Sequence, residues 1–185
     1  MTTVGVLLLM LTAATTARAA DPDARETLVA CRDLPANVSV PEPYRAAVHA
    51  LLLRSAVLRR QCRILAMAPV TVRISVWSPQ SLVDCRARAS LARLQSGVLD
   101  VVIDLPFDRD VAELLAHEFE HVIEQLEGVD LRQRATERHS GVRRVSGDAF
   151  ETDRAKAAGR AAAREVADES QAALVPTAPS ERGTD

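Results

Sequence analysis

Aromatic side chains are nearly absent: one Trp, one Tyr and three Phe in 185 residues. A surface that stacks nucleobases needs more than that. Charge of either sign is not in excess, with 23 basic and 25 acidic residues leaving a net charge of -2. The electrostatic case for a general nucleic-acid binder is therefore missing. Cysteine is scarce, and Cys31, Cys62 and Cys85 show neither CxxC nor zinc-ribbon spacing, which excludes a disulfide-dense scaffold. No apolar run approaches the roughly 18–20 residues that span a bilayer, and there is no internal repeat. What is present is a 48% hydrophobic fraction, too high for a wholly disordered chain. With so few aromatics, the core has to be built from Ala, Val, Leu and Ile. The length suits one domain with a real core and falls short of two ordinary ones.

The N-terminus sets an expected compartment. Val4 to Leu11 is an uninterrupted apolar run, Thr12 to Ala20 follows, and charge arrives at Asp21. Ala17-Arg18-Ala19 fits the small-x-small cleavage rule, so residues 1–19 read as a secretory signal peptide cut near Ala19/Ala20, although no Lys or Arg precedes the apolar run. Removing Arg18 takes the net charge from -2 to -3. The mature protein is expected in the periplasm or outside the cell, as a monomer with no stable membrane insertion. Leu28-Val29-Ala30-Cys31 resembles a lipoprotein box only poorly, because Asp21, Asp23, Arg25 and Glu26 separate it from the apolar run. In an oxidising compartment three cysteines make one disulfide and one thiol; Cys62–Cys85 is the favoured pair, but spacing alone leaves pairs with Cys31 open.

Hydrophobic periodicity predicts an α+β fold. Asp23 to Cys31 reads as a short helix, and Pro35, Pro41 and Pro43 make an extended stretch. From Tyr44 to Ala66, Ala47, Val48, Leu51, Leu52, Ala56, Leu58 and Leu65 recur at helical spacing with arginines on the other face, a long N-terminal helix. Val70 to Trp77 alternates as a half-buried strand. Cys85 to Leu94 and Val98 to Leu105, joined by Gln95-Ser96-Gly97, read as a hairpin beside it. The expectation is a small, mainly antiparallel sheet of about three strands. Asp108 or Asp110 can cap the next helix, whose stripe is Val111, Leu114, Leu115, Val122, Ile123 and Leu126, with Gly128 as its stop. A polar loop follows Asp130, and helical periodicity resumes near Ala149 and runs to about Asp168.

Within the capped helix stands His117-Glu118-Phe119-Glu120-His121. Histidines four apart lie on one helical face, one turn apart, where both imidazoles reach a single Zn²⁺. Glu118 is turned about 100° from His117, too far for a third ligand but beside the metal's open side. A metal there acidifies water, and Glu118 can take the proton and pass it to a leaving amine. This is the HExxH pattern with its mechanism attached.

Helix, small sheet, HExxH helix and a further helix resemble the zincin metallopeptidases from about Tyr44 to Asp168. The chain looks most like the compact gluzincins, and like uncharacterised secreted bacterial proteins with the same His-Glu-Phe-Glu-His segment. The resemblance implies a domain at 44–168, which leaves an N-terminal extension at 20–43; the polar, Pro-, Thr- and Ser-bearing C-terminus reads as a disordered tail at 169–185. The metzincin pattern fails, because Glu124 and Glu127 stand where its Gly and third ligand belong. The gluzincin pattern takes a Glu from a later helix, which points to Glu151; Asp130 and His139 are its rivals, and the nearby Asp153 is spaced too short for the usual histidine-orienting acid. His139, Arg143 and Arg144 are candidates to stabilise an oxyanion, with His139 the assigned catalytic partner of Glu118, against the reading of a solvated basic loop. Trp77, at a strand end, reads as a core or rim residue. Substrate in zincins lies along an edge strand, here within Cys85 to Leu94 or Val98 to Leu105. The expected activity is zinc-dependent hydrolysis of a peptide or protein substrate. The alternatives are a non-catalytic, zinc-stabilised binding domain, since so small a chain leaves few residues for a cleft, and an interaction domain without metal.

Overall fold

The computed structural model describes residues 33–76, 86–106 and 110–172. The expected leader, the Asp23–Cys31 helix, Cys31, Trp77, Cys85, Asp108 and most of the tail lie outside them. In chain order the elements are β1 (Val38–Ser39), α1 (Glu42–Arg54), α2 (Ala56–Ala66), β2 (Val70–Val76), β3 (Arg88–Arg93), β4 (Leu99–Leu105), α3 (Val111–Leu126), α4 (Leu131–Arg134), β5 (Val142–Ser146), β6 (Ala149–Thr152) and α5 (Asp153–Ala172). The α+β class stands, built on one four-stranded and one two-stranded sheet.

The sheet departs from the expected antiparallel meander. Its order is β1-β2-β4-β3. β1 and β4 both run parallel to β2, while β3 and β4 form the antiparallel hairpin read from Gln95-Ser96-Gly97. The hairpin was legible; which of its strands meets β2 was not. β4 takes that place, in register from Val70 opposite Leu99 to Val76 opposite Leu105. β3 is therefore the edge strand and β4 an interior one. Alternation then sorts the faces. Val70, Val72, Ile74, Leu99, Val101, Ile103 and Leu105 are buried under the helices. Arg73 meets Asp100 at 2.9 Å and Arg88 meets Asp104 at 3.1 Å, which are interleaved at the positions of opposite parity.

The expected single helix from Tyr44 to Ala66 is two helices. Ser55 has extended backbone (φ -114°, ψ 117°) and breaks the ladder. Its hydroxyl accepts from Leu58 N–H at 3.2 Å, capping α2. The same hydroxyl donates at 2.7 Å to Glu165 of α5, which also accepts from Val57 N–H. Arg54 donates to the Val166 carbonyl. The break is thus held by a partner far away in sequence. The core extends upstream of Tyr44: Val38 and Val40 are buried, and the Asn37 amide ties Leu65 O to Val70 O.

α3 is the central helix. Leu115, Ala116, Phe119, Val122 and Ile123 are buried on it, and it packs on α5, α2, β4 and β3. Asp110 occupies its N-cap position in a left-handed conformation (φ 54°), but the carboxylate bonds Arg86 at 2.7 Å instead of capping the helix. Gly128 (φ 75°) ends α3, where a side chain would be strained. α3 and α5 approach unusually closely at Gly159. A Cβ there would lie 2.8 Å from Glu113 O and 3.3 Å from His117 Cβ. Among the described residues no helix is long and apolar enough to cross a membrane.

Candidate metal centre

The apolar stripe of α3 fixes its rotation, and that rotation carries His117 and His121 to the side facing α5 and the β5–β6 hairpin. Their rings are 4.9 Å apart at 79° to one another. The expected polar loop between Asp130 and Ala149 instead contains α4 and the hairpin, and Glu151 sits on β6, not in the first turn of α5. From that strand its Oε1 lies 3.3 Å from His117 Nε2 and 3.8 Å from His121 Nε2. It also accepts from Thr152 N–H at 2.9 Å. Among the described residues this is the one group of His, Cys, Asp or Glu whose ligand atoms converge, all within 4.8 Å of one another.

The donor set fits a metal ion. Two imidazole nitrogens and one carboxylate are a three-ligand set that leaves a coordination position open. Tetrahedral bonds of about 2.0–2.1 Å put neighbouring ligand atoms about 3.3–3.4 Å apart, close to the distances already present. His121 is oriented from behind: its Nδ1 lies 3.1 Å from the buried carboxylate of Glu124. With Nδ1–H donating to Glu124, Nε2 presents its lone pair to the group. Glu124 was not foreseen as a partner, although its i+3 spacing from His121 was a usable signal.

Glu118 is only 5% exposed. Burial pushes its carboxyl above the ordinary range; the charges of His121 and His117 and a hydrogen bond from Ala89 N–H of β3 oppose this without cancelling it. The Glu118 carboxyl thus lies between the histidines and the edge strand. Burial would also raise Glu151, but its hydrogen bond with His117 and the charges of His117, Lys156 and His121 outweigh it and hold Glu151 low. Burial lowers His117, while the Glu151 hydrogen bond and the carboxylates of Glu118 and Glu151 lift it above its usual value against Lys156. Lys156, on α5 and 24% exposed, belongs to this electrostatic neighbourhood; sequence pattern gave no sign of it.

The other expected residues take different places. Asp130 caps α4, its Oδ1 accepting from Gln133 N–H at 2.9 Å. His139 is exposed in a left-handed turn (φ 61°) and takes no part in the convergent group. Asp153 is exposed and faces Lys156 at 3.9 Å. Arg144 lies 5.7 Å from the Phe150 ring and 3.5 Å from Asp148. Arg143 is paired in register with Glu151. Cys62 is buried in the core, and its expected partner Cys85 lies outside the described residues.

A further buried carboxylate locks the helices around the group. Glu120, 1% exposed, accepts from Gln61 at 2.7 Å, Arg60 at 3.1 Å and Arg154 at 2.6 Å. Gln61 also donates to Ala116 O at 2.8 Å. α2, α3 and α5 are therefore joined at the level of the histidines, and the buried charge is matched as burial demands. Comparison with protein-family models, with curated proteins and with solved structures gives no match.

Proposed function

We propose that the chain is a zinc-dependent peptidase that works after export, in the periplasm or outside the cell. The carrying observation is the convergence of His117, His121 and Glu151 next to a buried Glu118. Zinc held by those three side chains would supply Lewis acidity toward a carbonyl and would acidify water. Glu118 has the place and the raised proton affinity of a general base that later acts as an acid. It takes a proton from the attacking water and returns it to the amine as the C–N bond breaks. One water is consumed, its hydroxyl going to the acyl carbon and its hydrogen to the nitrogen. Glu124 keeps His121 oriented throughout. The edge position of β3 supports an extended peptide as substrate: a strand added there would run beside Ala89 and hence beside Glu118.

The test is Glu118→Gln. The variant is expected to keep stoichiometric zinc by elemental analysis and to lose about 10²–10⁴-fold in peptide hydrolysis, the usual worth of a general base. His117→Ala and Glu151→Ala are expected to lose zinc. Hydrolysis unchanged in Glu118→Gln overturns the reading. Stoichiometric zinc without cleavage of a diverse peptide pool would favour the zinc-stabilised binding domain.

A further inference from the structure

Arg143 stands directly opposite Glu151 in the β5–β6 ladder. Directly opposed residues of an antiparallel pair project from the same face, with Cβ atoms about 4.5–5.5 Å apart. The carboxylate of Glu151 reaches His117 and His121, so that face borders the metal-binding group. The neighbouring pair confirms the alternation. Arg144 is opposite Phe150, lies over its ring and meets Asp148. Arg144 is therefore occupied on the other face. Arg143 is exposed, and its side chain makes no ion pair or hydrogen bond among the described residues. It forms no ion pair with Glu151, whose Oε1 is turned instead to His117, His121 and Thr152 N–H.

A second cation borders the same ligand. Lys156, three residues into α5, is largely covered, and its nearest anion is the exposed Asp153 at 3.9 Å. Asp153 partly answers Lys156, which leaves the guanidinium of Arg143 the less compensated of the two cations flanking Glu151. A guanidinium offers a planar, two-pronged donor that matches a carboxylate, and such charge-assisted bonds are stronger than neutral ones.

We propose that Arg143, reinforced by Lys156, selects substrates carrying a carboxylate next to the bond that is cut. This rests on the peptidase reading and adds a substrate class to it. The carboxylate can be an Asp or Glu side chain or the C-terminus of a peptide, and both present the same chemistry to the guanidinium.

The experiment uses the full chain loaded with zinc and one peptide scaffold. The scaffold carries Glu or Gln at each position within three of the cleaved bond, and each version is made with a free or an amidated C-terminus. Two readouts are taken: kcat/KM for cleavage, and the Kd of the labelled peptides for zinc-loaded Glu118→Gln. The acidic versions are expected to be favoured about tenfold, the scale of one charge-assisted contact. In Arg143→Gln the ratio of acidic to amide versions should fall to about one, and in Arg143→Glu it should invert. Inversion is a change that loss of structure alone would not produce. An advantage that vanishes on amidation assigns the terminal carboxylate; one that persists assigns the side chain. Cleavage with no acidic preference, or the same preference in all three proteins, overturns this inference and leaves the peptidase standing. Neither cleavage nor binding of any peptide by the zinc-loaded protein overturns the peptidase reading and this inference with it.

Discussion

At the scale of the residue, the histidine pair was readable because an i, i+4 spacing on an amphipathic helix has only one geometric outcome. Glu151 was readable as a residue but not as a place: it comes from a strand, which aims its carboxylate at the histidines across the α3 face. Glu124 was missed because a glutamate in mid-helix looks solvated until its burial is known. That burial gives its expected effect. Removing the partner that holds a ligating histidine costs about 10–100-fold in metal affinity. Glu124→Ala should show that loss in a competition titration against a chelator, and Glu124→Gln, which keeps an acceptor for Nδ1–H, should recover part of it. Equal affinity in wild type and Glu124→Ala would show that His121 does not depend on this bond.

Elements were less legible than residues, for reasons of tertiary origin. The stripe Leu51, Leu52, Leu58, Leu65 passes unbroken across Ser55, so periodicity alone predicts one helix; the interruption is held by Glu165 and Arg54, partners that only the folded chain brings together. Likewise β2 alternates identically whether its neighbour is parallel or antiparallel. The α3–α5 contact gives two predictions. In an isolated helix Gly159→Ala would gain about 1 kcal/mol of propensity. Here its Cβ would press on a backbone oxygen at 2.8 Å, which cannot swing away as a side-chain tip can. Overpacking of that kind costs about 1–3 kcal/mol, so the net effect should be destabilising in urea unfolding, with reduced zinc retention because His117 shares the contact. A more stable Gly159→Ala would disprove the close crossing. The second concerns acid. Hydrogen bonding to Arg154 holds the Glu127 carboxylate below its ordinary range despite some opposing burial. Its contribution is therefore present above the unfolded value and lost as pH falls through the lower folded one. Because the pair is half-exposed, it is worth no more than about 1 kcal/mol. Glu127→Gln should flatten the loss of stability over that acid range by about this amount; an unchanged pH profile would assign the pair no role.

At the scale of the whole molecule, composition foresaw an aliphatic core and periodicity a mixed fold; with so few aromatics, sheet and helices interlock through Val, Leu, Ile and Ala. Composition could not foresee that the candidate metal-binding group brings the central helix together with the β5–β6 hairpin. Two of its residues stand on the central helix, while the third stands on a two-stranded hairpin whose β5 strand is largely exposed. An isolated hairpin is marginal in water, so a metal bridging β6 to α3 should act as a staple. A ligand that binds only the folded state stabilises it by about 2.7 kcal/mol at a hundredfold excess over Kd. For a domain of this size that corresponds to roughly 5–15 °C in Tm. Thermal unfolding with zinc and after exhaustive chelation should differ by that much in the wild type. The difference should vanish in His117→Ala and in Glu151→Ala, whose melting should match the chelated protein. Amide exchange should localise the loosening to residues 142–152, because the core around Leu115, Phe119 and Ile103 does not depend on the ion. A wild-type Tm indifferent to chelation, or protection lost uniformly, would mean that the three side chains do not hold a metal that ties the hairpin to α3.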